Sequence, residues 1–151
     1  MRILYFTKDY TTHDHRFLTS LAESGNEVFS LRLERRGVQK EDRPLPPQVE
    51  QICWRGGQGP VTWRDYPALL LDLRQVLRRI QPDVVHAGPV QSAAFLAALT
   101  GFKPLVTMSW GSDLLKDAAA MPGRTRFTLN HTTVLLGDCQ AVQQKAAEFR
   151  F

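Results

Sequence analysis

Short apolar segments alternate with amphipathic segments along the whole chain. The first apolar run, in "MRILYFT" at residues 1–7, is continuous and therefore typical of a strand buried on both faces. Five further segments of strand-like pattern follow it, at 27–33, 49–54, 83–87, 104–110 and 132–138. The pattern thus predicts six strands.

Helices are predicted between most of these strands. Phe17, Leu18, Leu21 and Ala22 have the spacing of one helical face, and Gly25 is placed to end that helix. Further helices are predicted over 69–80, 90–100 and 139–149, and the segment before the sixth strand is partly helical.

Three residues are predicted to set the ends of the helix at 69–80, and one further segment is predicted to be a connection. Asp65 is predicted to cap the N-terminus of the helix at 69–80, with Pro67 in its first turn, and Pro82 stops its continuation. The charged, proline-containing segment 34–48 is expected to be an exposed, mobile connection.

Strands that alternate with helices at this spacing predict one α/β domain over residues 1–151. It is expected to be a doubly wound, Rossmann-like parallel sheet with helices on both faces. Ligands bind such sheets beyond the carboxyl ends of the strands, near the point where the strand order reverses. This rule selects three loops, at 8–16, 87–92 and 110–114.

The first of these loops contains no glycine, which disfavours a dinucleotide-binding turn for NAD or FAD. It carries Asp14, His15 and Arg16 instead. Asp14 is expected mainly as a helix N-cap. His15 and Arg16 offer hydrogen-bond donors to an anionic or hydroxyl-rich ligand at the positive end of a helix.

The second loop, in "DVVHAGPVQSAAF" at residues 83–95, follows a buried strand. His86 stands at the strand end, Gly88 allows the chain to turn close to a ligand, and Gln91 and Ser92 are expected in the first helical turn. The alternative for His86 is simple packing, which is the commoner role of a lone histidine at a strand end.

The third loop, "SWGSDLL", presents Trp110, Gly111 and Asp113 at the next strand end. Trp110 offers an apolar face on which a sugar ring can stack, or it covers the edge of the core. Asp113, like Ser112, is alternatively an N-cap. Because the three loops converge on one edge of the sheet, we predict a binding site there.

Composition narrows the class of protein. The chain has 43% hydrophobic and 23% charged residues, no signal-peptide pattern and no bilayer-length apolar stretch, so a cytoplasmic globular protein is expected. Cys53 and Cys139 have no metal-ligand spacing and are expected to be reduced, buried thiols, with no metal site.

The net charge of +4 arises largely in two arginine-rich segments, at 32–43 and 74–80. No recognition motif for nucleic acid accompanies this charge, so a nucleic-acid partner is not expected. A peripheral contact with a membrane surface stays open.

Several ordered segments resemble the N-terminal domain of family 4 glycosyltransferases. "HDHRFLTSLAESGNEVFSL" is similar to the family's first helix and second strand, and "QPDVVHAG" to its "PDVVHAH" strand. "PLVTMSWGSDLL" resembles the "P.V.T.HG.D" segment, and "TTVLLGDCQAVQQKAAEF" resembles the "AD.VI..S" strand and helix that follow.

This resemblance implies one half of a GT-B architecture, in which two Rossmann-like domains face a cleft. The chain would be the half that binds a sugar or lipid-linked acceptor. The nucleotide-sugar co-substrate would be bound mainly by a C-terminal domain that this chain lacks, so the chain is expected to be inactive alone, and no other cofactor is expected. Without that domain, the surface that would face it is exposed, and self-association through this surface is a further expectation.

The match departs from the family pattern in three places, of which the first is the loop at 8–16, because it lacks the glycines that many members carry there. Gly88 and Trp110 occupy the places of family histidines, so no catalytic residue is assigned. Five residues match the family's motifs, and the resemblance implies that they belong to the acceptor cleft. They are His86, Gly111, Asp113, Asp14 and Arg16. Two alternatives remain: a non-catalytic Rossmann-like binding domain, and the N-terminal half of a GT-B sugar-nucleotide epimerase.

Overall fold

The computed structural model describes residues 1–36 and 40–149. Within them, one sheet has the strand order β3-β2-β1-β4-β5-β6, with every neighbouring pair parallel. The strands are β1 (Arg2–Thr7), β2 (Glu27–Arg32), β3 (Val49–Gln51), β4 (Val84–Gly88), β5 (Leu105–Met108) and β6 (Val134–Leu136). The predicted Rossmann-like fold is confirmed.

Helical segments connect these strands. They are α1 (Thr12–Glu23), a 3-10 turn (Trp63–Asp65), α2 (Tyr66–Ile80), α3 (Ala93–Leu99), a π-helical turn (Asp113–Asp117), α4 (Ala118–Ala120), α5 (Pro122–His131) and α6 (Gln140–Ala147). In the described part of the chain, no helix has the length and apolarity needed to cross a membrane.

The sheet separates two apolar layers because successive side chains of a strand point to opposite faces. Leu4, Phe6 and Val85 belong to the core cluster that includes buried residues of α2 and α3. Tyr5 belongs to the cluster of α1, which is anchored by Leu18. A third cluster, built from the π-helical turn, α5 and α6, buries Val90, Leu114, Ala118, Leu129, Val142, Ala146 and Phe149.

Strand order reverses between β1 and β4, which are neighbours although two strands intervene in sequence. Their register pairs Tyr5 with His86 and Thr7 with Gly88. The first and second predicted loops therefore leave the sheet side by side, and the loop after β5 lies beside them. This is the edge at which the sequence predicts binding.

Several predicted elements are longer than the observed ones, among them β3, α3 and β6, which spans Val134–Leu136 rather than 132–138. β3 ends at Gln51 rather than at residue 54, and the Trp54 indole nitrogen donates to the carbonyl of Arg32 at 2.8 Å. α3 begins at Ala93, because the amides of Ser92 and Ala94 both donate to the carbonyl of Pro89 in a turn that precedes the helix. Gln91 and Ser92 are therefore not in the first helical turn.

Asp65 does occupy the N-cap position of α2, but its carboxylate accepts hydrogen bonds from the amide and hydroxyl of Thr62 and closes the 3-10 turn instead. Pro67 stands in the first turn of α2, as predicted. Beyond its last residue, Gln81 adopts a left-handed conformation with φ 48°, and Pro82 follows.

The predicted burial of both thiols is wrong. Cys53 and Cys139 are free and exposed, because they lie past the ends of β3 and β6, where the chain has left the sheet. The expected exposure of segment 34–48 is also wrong in part, because Glu34 and Glu41 are buried. Residues 37–39 of that segment lie outside the described residues.

The close approach of β4 to β5 leaves no space for a side chain at position 88. A β-carbon built on Gly88 would overlap with the carbonyl oxygen of Met108 and lie 3.3 Å from its carbonyl carbon. Because both groups are main chain, the strand ends themselves would have to separate.

We expect Gly88→Ala to lower the free energy of unfolding by about 2 kcal/mol, the usual cost of overpacking. Denaturant unfolding measures this. Gly59→Ala is the matched control, because a β-carbon there has no neighbour within 4 Å, and it should leave stability nearly unchanged. Equal stability of the two variants would contradict the close approach.

Candidate functional site

Among the pockets at the carboxyl edge of the sheet, two are lined by residues of segment 109–113. The first, here called the polar pocket, has a volume of about 210 Å³ and is lined by Lys8, Glu34, Arg36, Thr62, Trp63, Tyr66, Gln91, Ser92, Asp113, Asp117 and Arg124, among others. The second, the apolar pocket, measures about 380 Å³ and is lined by His13, Phe17, Met108, Ser109, Trp110, Ser112, Leu136, Gly137 and Asp138.

Asp113 joins the loops that follow β4 and β5. Its carboxylate is buried and accepts hydrogen bonds from the amide of Val90 at 2.9 Å, the hydroxyl of Ser109 at 2.6 Å and the amide of Trp110 at 3.0 Å. Such charge-assisted bonds are worth about 1.5–3 kcal/mol each. Asp113 thus fixes the walls of the polar pocket.

Gln91 adds a second connection across the same edge. Its buried side-chain amide nitrogen donates two hydrogen bonds, to the carbonyl of Asp113 at 2.7 Å and to the Thr125 hydroxyl at 2.9 Å. Both donor hydrogens are therefore used inside the protein. The carbonyl oxygen of the side chain is the part of Gln91 left to meet a ligand.

Glu34 is the buried charge of the polar pocket. Its carboxylate lies 2.7 Å from Nε of Arg36 and 3.6 Å from Nζ of Lys8, and it accepts a 3.3 Å hydrogen bond from the amide of Val61. A buried carboxylate needs such partners because desolvation penalises its charge. Glu34 thereby holds two cations at the pocket wall.

Aromatic rings hold a third cation in the polar pocket. The guanidinium carbon of Arg124, on α5, lies 5.2 Å from the ring centroids of both Tyr66 and Phe95. Contacts of this kind orient a guanidinium group and leave its edge free to donate. Trp63 lines the same pocket with 69% of its surface exposed, so its indole offers an open face to a ligand.

The apolar pocket contains the predicted Trp110. Its walls include Phe17 and Leu136, which are 39% and 38% exposed. The indole nitrogen of Trp110 is buried and has no hydrogen-bond partner among the described residues. Phe17 was expected on the buried face of its helix, but it forms part of this wall.

Asp14 belongs to the interior rather than to either pocket. Thr11, not Asp14, is the N-cap of α1, and the two residues form a capping box. The buried carboxylate of Asp14 also accepts a 2.9 Å hydrogen bond from the Tyr5 hydroxyl. Burial raises the pKa of Asp14, while the hydrogen bonds from Thr11 and Tyr5 act in the opposite direction.

The other first-loop residues lie beside the pockets. His15 is half-buried, with its ring centroid 6.4 Å from that of Tyr10, and Arg16 is exposed. Neither lines the polar or the apolar pocket, whereas their neighbour His13 lines the apolar one.

His86 is enclosed behind the apolar pocket. Its ring meets those of Tyr5 at 5.0 Å and Phe17 at 5.9 Å, and its Nε2 has no hydrogen-bond partner among the described residues. Burial lowers the pKa of His86 to about 4, so the ring is neutral at pH 7.

The two predicted glycines shape the main chain. Gly88 permits the contact with Met108 described above, and Gly111 adopts φ +79°, a conformation that favours glycine. Gly111 lies immediately after Trp110 and allows the chain to reverse toward Asp113.

The structure therefore brings Gln91 and Asp113 to the polar pocket and Trp110 to the apolar pocket. Sequence reasoning missed Glu34, Trp63 and Arg124. Glu34 follows the end of β2, so the rule on carboxyl ends of strands could have found it. Trp63 and Arg124 belong to helical segments, and nothing in the local pattern places them at the edge.

The buried, neutral His86 should make the protein less stable in acid. Unfolding returns its pKa from about 4 to 6.5, so the unfolded chain binds the extra proton as pH falls through that interval. The free energy of unfolding should fall by about 3 kcal/mol between pH 6.5 and 4 through this residue.

His86→Leu should remove this part of the pH dependence, measured by urea unfolding at several pH values. His15→Gln, on a half-buried histidine, is the control and should keep it. An unchanged slope in His86→Leu would show that another group titrates.

The comparison with known protein families agrees with the observed fold. The family model described as glycosyl transferase 4-like matches residues 2–135. Among curated proteins, none matches this sequence. Because the family model covers most of the chain and the sheet has the Rossmann-like strand order, this protein belongs to the glycosyl transferase 4-like family.

Proposed function

We propose that this domain is the acceptor-binding, N-terminal half of a glycosyltransferase, and that the acceptor binds in the polar pocket. The full enzyme would transfer a sugar from a nucleotide-sugar donor to an acceptor hydroxyl. In the two-domain arrangement expected from the family, a second Rossmann-like domain would bind the donor.

The observation that carries this proposal is the composition of the polar pocket. Charged and hydroxyl side chains surround it, among them Lys8, Thr62 and Ser92 from separate loops and Arg124 from α5, and the exposed face of Trp63 lies beside them. A sugar or polyol presents hydroxyl groups on its rim and an apolar ring face, and the two sets of protein groups match these two features.

The polar pocket is arranged before a ligand arrives. Glu34 holds Lys8 and Arg36, and the rings of Tyr66 and Phe95 hold Arg124. Less side-chain entropy is then lost on binding. In the reaction, the oxygen of an acceptor hydroxyl forms a bond with the anomeric carbon, the bond from that carbon to the donor diphosphate breaks, and the hydroxyl proton leaves with the diphosphate.

This half would contribute orientation of the acceptor. Positioning of the reactants lowers the activation barrier of the transfer. The entropy cost of bringing them together is met when the acceptor binds, so it no longer falls on the chemical step. Stabilisation of the departing diphosphate would come from the donor domain. The domain alone should therefore bind acceptor without transferring sugar.

A second candidate is a non-catalytic binding domain, and the surroundings of Gly88 favour it. The family resemblance places a histidine at position 88, but the contact with Met108 excludes any side chain there unless the strand ends separate. Trp110 replaces the other family histidine. A protein carrying both domains distinguishes the candidates: transfer from a nucleotide sugar supports the enzyme, and binding without transfer supports the alternative.

We expect the domain to bind sugar or polyprenyl-phosphate acceptors more tightly than nucleotide diphosphates, as measured by ligand-observed NMR. Arg124→Gln should weaken acceptor binding about tenfold or more, because it removes a charge-assisted hydrogen bond. Arg126→Gln is the matched control, on the same helix but outside the lining of the polar pocket, and should bind as the wild type does.

Three results would change the assignment. Tight nucleotide binding by this half would mean that it is the donor side. Loss of acceptor binding in Trp110→Ala but not in Arg124→Gln would move the acceptor to the apolar pocket. Sugar transfer by the purified domain would contradict the proposed division of the site.

A further inference from the structure

We propose that a third pocket, over the ends of β1, β2 and β3, binds a small phosphorylated polyol. This pocket, here called the arginine pocket, has a volume of about 260 Å³ and is lined by Asp9, Tyr10, Arg32, Arg35, Lys40 and Arg43, among others. It shares no lining residue with the polar or the apolar pocket. The proposal is therefore independent of the proposed acceptor site.

The ends of three parallel strands place the arginine pocket. Asp9 follows β1, Arg32 is the last residue of β2, and Gln51 is the last residue of β3. Segment 40–45 supplies the rest of the wall, and it is tied to the first loop because the Tyr10 hydroxyl donates to the carbonyl of Pro44 at 3.3 Å. The carboxyl ends of such strands are where α/β sheets bind ligands.

Arg32 presents an oriented guanidinium group to the arginine pocket. Its guanidinium carbon lies 5.3 Å from the centroid of the Tyr10 ring, and its Nε lies 3.7 Å from Oδ1 of Asp9. The second distance is too long for a hydrogen bond, and no other described residue accepts one from this group. Its planar set of N–H donors matches the oxygens of a phosphate.

Arg35 adds a second positive charge beside Arg32. Desolvation lowers the pKa of Arg32, and the charge of Arg35 acts in the same direction, while Asp9 opposes both. Arg35 and Lys40 are exposed, and neither forms an ion pair with a described residue. An anion placed between these cations would relieve their repulsion.

The carboxylates of the arginine pocket leave its charge positive. Three of them, Asp9, Glu41 and Asp42, face the four cations. Glu41 is bonded to Arg43, with Oε1 2.9 Å from Nε and Oε2 2.8 Å from the terminal nitrogen. Asp42 is exposed, so water screens its charge. The arginine pocket therefore favours an anion.

Asp9 adds a requirement for a hydroxyl group. Its side chain is buried, and Oδ1 accepts a 2.8 Å hydrogen bond from the Tyr10 amide. Its Oδ2 is buried as well and has no hydrogen-bond partner among the described residues. A buried carboxylate oxygen without a donor is unfavourable. A phosphate cannot supply this donor as its dianion, whereas a neighbouring hydroxyl can.

The ligand class follows from these two demands. A phosphate monoester carries a charge of about −1.5 to −2 at pH 7, which the arginines complement. Hydroxyls on the same molecule complement Asp9. None of the large, exposed apolar side chains in the described part of the chain lines the arginine pocket, so nothing there would bury the acyl chains of a lipid phosphate. A soluble phosphorylated polyol fits best.

Residue-resolved NMR titration of the intact chain with glycerol 3-phosphate tests the proposal. We expect saturable shifts of the Tyr10 and Gln51 amide signals. n-Propyl phosphate has the same charged group on a chain of the same length without hydroxyls. It should bind several-fold more weakly, because it leaves Oδ2 of Asp9 unpaired.

Arg35→Gln should weaken the binding of glycerol 3-phosphate about fivefold, because it removes one of two adjacent charges from the phosphate. Arg78→Gln is the matched control, since Arg78 is an exposed arginine of α2 outside the lining of the arginine pocket, and it should bind as the wild type does. Arg124→Gln, in the polar pocket, should also leave this binding unchanged. Failure of the acceptor site is thereby distinguished from failure of this proposal.

Four results would overturn the proposal. They are the absence of saturable shifts at Tyr10 and Gln51, equal affinity of Arg35→Gln and the wild type, and equal affinity for glycerol 3-phosphate and n-propyl phosphate. The fourth is binding to vesicles that contain phosphatidic acid without binding to glycerol 3-phosphate, which would assign the arginine pocket to a lipid headgroup instead. Circular dichroism should show that every variant is folded.

Discussion

The carboxylate of Asp113 is the constraint on which the carboxyl edge of this domain depends. It accepts hydrogen bonds from Val90 after β4 and from Ser109 and Trp110 after β5, so one buried charge fixes two loops. The polar pocket is lined by Asp113 itself, and the apolar pocket is lined by its partners Ser109 and Trp110. Their shapes are therefore coupled through a single side chain.

The two pockets differ in how their lining side chains are arranged in the absence of a ligand. In the polar pocket, Glu34 and a pair of aromatic rings hold the cations in place, so the charges are oriented before binding. In the apolar pocket, Phe17 and Leu136 keep apolar surface in contact with solvent. Burial of that surface by a ligand or by another domain would release ordered water and stabilise the assembly.

Membership in the glycosyl transferase 4-like family does not by itself supply a catalytic group here. In the family pattern that the sequence resembles, histidines stand at the places of Gly88 and Trp110, and the packing of Gly88 against Met108 leaves no room for a side chain at the first of these places. His86 is enclosed and neutral, and Asp14 is bonded to Tyr5. His86 and Asp14 therefore support the site from behind and line neither pocket.

The sequence by itself determined the six strands, the parallel Rossmann-like sheet and the edge at which the loops converge. The period of the hydrophobic positions and the turn residues are local signals, and they are enough to predict elements such as α2. Only the tertiary structure decided that Asp113 joins two loops, that His86 is covered by Phe17, and that Glu34 and Arg124 meet in one pocket. Those pairings connect residues distant in sequence, so the packing of the folded chain sets them, and no local pattern records them.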